Sequence, residues 1–283
     1  MKSDYQAKSL TLTGAVAMGT GVMIGAGIFA LTGQIAELAG PVFPWVFAIA
    51  AIVTGFSAYS YVKLSNTYPS AGGIAMFLEK AYGRSALTAT AGLLMALSMV
   101  INESLVARTF GTYTAQFFVG FESDFLVPAL SVMLIIMAFI INISGNRLVG
   151  GVSFFMAAIK VIGISALAIA GFVAAQDMKI VTASSSSESS VLGFISALAL
   201  GVLAFKGFTT ITNSGSEIIN PHRNVGRAII LSIVVCVVIY LLVALAVNAS
   251  LSLPEIIAAR DYALAEAARP TFGELGMTLT ILL

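Results

Sequence analysis

Residues 19–29 read Gly19-Thr20-Gly21-Val22-Met23-Ile24-Gly25-Ala26-Gly27-Ile28-Phe29. Gly19, Gly21, Gly25 and Gly27 interrupt an otherwise apolar run, and a glycine in a helix interior costs about 1 kcal/mol relative to alanine. Two readings account for them. One is close helix packing through small-xxx-small contacts, which Gly21 and Gly25 permit. The other is a helix broken at membrane depth, tolerated only where irregular backbone lines a cavity or is buried in protein.

The rest of the chain places that stretch in a membrane. Of 283 residues, 59% are hydrophobic and only 10% are charged, whereas a soluble domain carries about 25% charged residues. The mean hydropathy is +1.00. A net charge of +1 leaves no basic field for nucleic acid. The single cysteine, Cys236, excludes an intrachain disulfide framework, and the single histidine, His222, excludes a His/Cys metal cluster, so no cofactor is expected. Lys2, Asp4 and Lys8 precede an apolar stretch too long for a signal peptide and lacking an A-x-A-like site, so it reads as a retained helix.

A bilayer core about 30 Å thick needs roughly 20 apolar residues per helical span. On that scale spans fall near 10–36, 41–65, 86–119, 126–144, 150–175, 191–219 and 226–249, and an eighth begins near 271. Gly40-Pro41, Pro69 to Gly73, Pro128, Gly145-Asn146, Asn220-Pro221 and Pro254 punctuate them. Ser184 to Ser190 reads as a polar connector. Lys2, Lys8, Lys63, Lys80, Arg84, Arg147, Arg223 and Arg227 fall on one side of this topology; Lys179, Arg260 and Arg269 fall on the other. The positive-inside rule then puts the N-terminus in the cytoplasm. The fold class is all-α and polytopic, a single transmembrane domain.

Span six carries a second disturbance: Phe205-Lys206-Gly207-Phe208-Thr209-Thr210-Ile211-Thr212-Asn213-Ser214-Gly215-Ser216-Glu217. Spans one and six are five apart, as matching helices of an inverted five-helix repeat would be. Interrupted segments at corresponding positions of two halves point to a transporter's binding site. Together the two stretches favour broken helices over simple packing.

These motifs resemble those of the amino acid–polyamine–organocation (APC) transporter superfamily. Residues 19–29 resemble its first-helix motif, and Phe205 to Phe208, Glu217 and Asn220 to Ile229 its sixth helix and following loop. Tyr68 to Gly73 is similar to the loop after helix two, and Leu105 to Tyr113, preceded by Glu103, to helix three of the cationic amino acid transporter branch. The resemblance implies a leucine-transporter-type inverted-repeat fold, with the first repeat (1–175) complete and the second (191–283) truncated. It implies a secondary active transporter that moves an amino acid across the plasma membrane by alternating access, proton-coupled or exchanging. The expected partners are an amino acid, protons and the lipid bilayer.

On that resemblance, helix one unwinds and the amides of Gly25, Ala26 and Gly27 receive the solute's carboxylate. The carbonyls of Met23, Ile24 and Phe205 receive its ammonium, with Lys206 and Gly207 completing the site. Glycine matters because a Cβ would hold the ligand away from the backbone. Lys160, mid-way along span five, corresponds to a lysine whose ammonium replaces a coupling sodium and exchanges a proton; the alternative is a snorkelling side chain.

Glu103 and Arg108 are five residues apart and face different sides of their helix. Glu103 is expected to pair across helices, with Lys206 as a candidate, either structurally or as a solute or proton contact. A Lys206 facing the cavity favours neutral or acidic solutes. Glu217 is expected to end span six and pair with Arg223 or Arg227, with His222 solvated and Cys236 buried. A non-transporting sensor or assembly subunit of the same fold, or an inactive fragment, is the alternative. An enzyme would need a polar cluster that one loop histidine does not provide. Met277 to Leu283 would rise roughly 10 Å, a third of the bilayer core, so the chain alone is expected not to complete coupled transport.

Overall fold

A computed structural model describes residues 10–118, 124–143, 146–174 and 190–283. Lys2, Lys8, Lys179 and most of the serine-rich connector lie outside the described residues. Among the described residues the chain is helical, apart from turns and one isolated bridge between Leu10 and Ile218.

Helix α1 (Leu12–Met23) starts where the Thr11 side chain accepts the Gly14 N–H at 3.1 Å. A π-helical turn, Ile24–Phe29, joins it to α2 (Ala30–Ala39). Gly40 then takes a left-handed φ of 62°, open to a residue without Cβ, and ends α2. Pro41 and Pro44 follow at helix starts, where a missing N–H costs nothing, and α3 (Phe43–Thr67) turns back along α2. Next come α4 (Gly73–Tyr82), α5 (Ala86–Ala115), α6 (Leu126–Ile143) and α7 (Asn146–Ala174). The remainder holds α8 (Val191–Ala204), α9 (Phe208–Asn213), α10 (Pro221–Ser250), α11 (Leu253–Ala258) and α12 (Ala263–Leu282).

Helices lie along the stretches expected as spans, with ends shifted by a few residues. The runs 12–67, 86–118, 154–173, 191–213 and 221–250 are long and apolar enough to cross a membrane, the first of them folded at Gly40 into two legs. Their outward faces are apolar: Phe56 is 78% exposed, Leu93 72% and Val100 63%. A contiguous surface of that kind belongs against hydrocarbon.

Helix α10 is the central post. Val225, Ile229, Ser232, Cys236, Tyr240, Val243 and Val247 recur every three or four residues and are buried. That spacing lines one face of a helix, and here the face meets α3, α1 and α7.

Three elements depart from expectation. Helix α4 is too short to span; it packs against α5 and α9, its Gly73 (φ 50°) tight against Asn213. Helix α11 occupies a stretch that Pro254 marks as a connection, because proline is a breaker inside a helix but a good residue in its first turn. The Glu255 carboxylate accepts both the N–H and the hydroxyl of Ser252, each at 2.7 Å. Those two bonds hold its carboxyl below the usual glutamate range. A depressed value means the clasp is present at neutral pH and is lost as pH falls through it. Amide exchange over 253–259 is therefore expected to quicken in acid, and to rise about fivefold at neutral pH in Ser252→Ala.

Helix α12 begins at Ala263, within the alanine-rich stretch 263–268, and breaks at Gly273, so the span expected near 271 is preceded by a helical stretch not expected from the sequence. Glu266 and Arg269 broke its apolar pattern and hid it. In the structure Arg269 bridges Glu266 at 3.3 Å and Glu274 at 3.4 Å across a bend at Gly273 (φ 59°, ψ −149°) that follows Pro270.

Candidate functional site

The two interrupted segments meet at the middle of the fold, and they break in opposite ways. Span one does not unwind. It widens into the π-helical turn Ile24–Phe29, whose i→i+5 register loosens the helix without freeing the run of amides expected at Gly25, Ala26 and Gly27. Span six tightens instead. Phe205 donates to the Val202 carbonyl at 3.2 Å, Lys206 to Leu203 at 3.0 Å, and Thr209 to Lys206 at 3.1 Å, all three residues back. The carbonyl of Phe205 accepts from Phe208 at 3.4 Å. Its second half ends at Asn213, so Glu217 stands in a turn after α9 and not in a helix; no ion pair joins it to Arg223 or Arg227.

The glycines explain how the breaks interlock. A Cβ on Gly27 would lie 2.6 Å from the Ala204 carbonyl oxygen, and one on Gly207 would lie 2.8 Å from the Met23 nitrogen. Each glycine of one break thus sits on the backbone of the other. Gly19 lies equally tight against Ile211 and Ser232, and Gly21 against Ala157 of α7. Close packing is therefore the role of Gly19, Gly21 and Gly27. Gly25 differs: its missing Cβ faces only the Lys160 ammonium, at 3.2 Å.

Two tyrosines bracket the π turn. The Tyr240 hydroxyl lies 2.5 Å from the Met23 carbonyl and 3.0 Å from the Ala204 carbonyl, tying the two breaks together. Its ring stacks on Phe205 at 4.9 Å. From α5, the Tyr113 hydroxyl donates to the Phe29 carbonyl at 3.1 Å. Neither residue was singled out in the sequence. For Tyr240 the signal was available: a tyrosine buried in a run of valine, isoleucine and leucine must find a partner for its hydroxyl, and a loosened helix supplies carbonyls.

Of the expected site residues, Met23, Ile24, Gly25, Gly27, Phe205 and Gly207 come together, with Ala26 in the same turn and Lys160 beside it. The Met23 carbonyl already accepts from Tyr240, which leaves it one further lone pair for a solute. The Glu103–Lys206 pair is not formed. Lys206 donates to Ser98 of α5, and Glu103 is exposed on the outer face of that helix. The offset from Ser98 to Glu103 is more than a helical turn, which turns Glu103 away from span six.

The N-terminal end of this site is sealed. Leu10 donates to the Glu217 carbonyl at 3.0 Å and accepts from Ile219 at 2.9 Å. His222, exposed as expected, holds the Asn66 carbonyl at 2.8 Å, while the Asn66 side chain accepts the Gly226 N–H at 3.0 Å. The opposite end is open: a cavity of about 450 Å³ begins one turn beyond the breaks, at Ala30 and Leu200.

Comparison with known proteins fits this arrangement. A family model described as amino acid permease matches residues 10–283. An uncharacterized protein of Methanocaldococcus jannaschii is 34% identical over 276 residues, covering 98% of this chain and 63% of its own length. The inner membrane transport protein YbaT of Escherichia coli is 33% identical over 277 residues, 97% of this chain and 64% of its own. Cationic amino acid transporter 5 of Arabidopsis thaliana is 28% identical over 260 residues, 87% of this chain and 45% of its own. The chain thus spans less than two thirds of the length of these relatives. It is an integral membrane protein belonging to the amino acid permease family of the APC superfamily.

Proposed function

We propose that this chain forms the solute and coupling sites of a secondary active transporter that moves an amino acid across the cytoplasmic membrane. The carrying observation is the interlock of two interrupted helices, glycine against backbone, with the Lys160 ammonium at Gly25. One end is bonded shut and the other opens to a cavity, which is one state of an alternating-access cycle. The head of an amino acid fits the region where Gly25 to Gly27 meets Phe205 to Gly207. Its entry would exchange the Tyr240 bridge for bonds to the solute, so binding and helix separation become one event. The halves 1–175 and 191–283 are read as inverted repeats, with spans one and six in matching positions. The distribution of Lys and Arg puts the sealed end in the cytoplasm. Proton coupling or exchange, rather than sodium coupling, follows from a lysine occupying the cation position.

Gly25→Leu tests the site. The first carbon of its new side chain meets only the flexible end of Lys160, and Gly25→Ala, which adds that carbon alone, is the control for insertion and folding. A ligand that approaches the backbone of the π turn is then displaced, and calorimetry with the best amino acid from a thermal-stabilisation screen should lose its signal. Undiminished affinity in Gly25→Leu would sink the assignment.

A further inference from the structure

The open cavity has a chemistry of its own. Its walls come from α2, α5, α8 and the turn before α12, and its charged lining is Glu37, Arg108, Arg260 and Asp261, with Gln34, Thr109 and Thr112 beside them. Glu37 and Arg260 neutralise each other through two bonds at 3.0 Å. The backbone there is fixed, because Gly33 lies directly on the Arg260 main chain with no room for a Cβ. That leaves Arg108 and Asp261 as the two uncompensated charges. Among the described residues neither forms an ion pair, with the other or with anything else. A guanidinium and a carboxylate of opposite sign therefore face one cavity without touching. Such a volume suits a small organic ligand.

We propose that this cavity is an outer binding station for a zwitterionic α-amino acid, separate from the site at the helix breaks. Arg108 takes the carboxylate through its planar donor fork, and Asp261 takes the ammonium. Thr109 and Thr112, whose hydroxyls donate to carbonyls of their own helix, add acceptor oxygens on the α5 wall, and Leu105 and Leu200 give an apolar floor towards the breaks. A solute held there waits one helical turn above the interlock. The charge pattern selects for both groups at once: a simple carboxylate would leave Asp261 unmatched, and a simple amine would leave Arg108 unmatched. The solute class rests on the transporter reading; the site itself rests on the cavity and its charges.

The test is protection of an engineered thiol in the intact protein. Cys236 is fully buried, so Thr109→Cys, made with any cysteine outside this chain replaced by serine, gives one accessible thiol in the cavity wall. Its labelling by a charged methanethiosulfonate is followed with and without L-alanine, in wild-type and Gly25→Leu backgrounds. L-Alanine should slow labelling in both, whereas L-lactate and L-alanine methyl ester should not. Arg108→Gln or Asp261→Asn should raise the half-protecting concentration about tenfold or more, the loss expected of a charge-assisted bond. Protection that vanishes with Gly25→Leu overturns the outer station, since it would report closure driven from the central site, and leaves the transporter reading intact. Absence of protection in either background also overturns it, while calorimetry on the central site judges the transporter reading separately.

Discussion

Lys160→Met is expected to uncouple uptake from the pH gradient. The ammonium of Lys160 lies at the π turn of span one, on the one glycine of that turn that packs against no neighbouring backbone. It reaches there from α7. If Lys160 is the coupling group, its charge favours one arrangement of α1 against α7 while protonated and another when the proton has left, which is what coupling requires. A gradient of one pH unit is worth about 1.4 kcal/mol per proton, enough for about tenfold accumulation of a co-transported solute. In proteoliposomes of the intact protein, the wild type should approach that ratio. Lys160→Met should equilibrate the solute and stop near unity, because methionine fills the space without carrying a proton. Uptake driven by sodium and indifferent to pH would contradict the assignment, as would full coupling in the variant. Accumulation that follows only a counter-gradient of solute would identify an exchanger, in which Lys160 serves as a fixed charge.

The fold was largely legible because membrane insertion writes itself into composition. Every span is a long apolar run, and each turn is marked by a residue that cannot continue a helix, as Gly40-Pro41 and Asn220-Pro221 show. What escaped was structure that does not depend on apolar length. Helix α4 is short and amphipathic, and α11 is a single clasped turn whose proline sits where a proline is welcome. Helix α12 begins in sequence broken by Glu266 and Arg269, charges that satisfy each other only once the bend at Gly273 folds them together.

The place where helices one and six approach each other most closely was legible, but its geometry was not. Four glycines within nine residues mark a place where something approaches closely, yet the sequence does not say whether that something is a ligand or a helix. For Gly27 it is the backbone of α8, and for Gly207 it is the backbone of α1. Nor does a row of glycines state whether a helix unwinds or widens; that depends on Tyr113 and Tyr240, which lie far away in sequence and supply the hydroxyls that satisfy the π turn. Lys206 and Glu103 illustrate the reverse error. Opposite charges within a membrane invite pairing, but the register of α5 gives Lys206 the Ser98 hydroxyl instead.

Gly27→Ala should be strongly destabilising. The added carbon would fall 2.6 Å from the Ala204 carbonyl oxygen and closer still to the Tyr240 hydroxyl. Neither neighbour is a free side-chain end: one is backbone, and the other is fully buried and bonded to Met23. Overpacking of this kind costs about 1–3 kcal/mol where surroundings can shift, and here the shift must separate the two broken helices. A clear drop in the unfolding temperature of purified protein is expected, whereas Gly25→Ala, which meets only the Lys160 ammonium, should change it little. Tyr240→Phe alone removes a hydroxyl shared by two buried carbonyls and should cost about 1–3 kcal/mol for the acceptors left unmatched. The double variant decides the mechanism. With the hydroxyl gone, the closest obstacle to the new methyl is gone too, so the combined loss should be smaller than the sum of the two single losses. Strict additivity would mean that the methyl group clashes with α8 alone and that Tyr240 is not part of the interlock. A Gly27→Ala protein as stable as Gly25→Ala would mean that the breaks are not packed against each other, and the close approach of helices one and six would have to be abandoned.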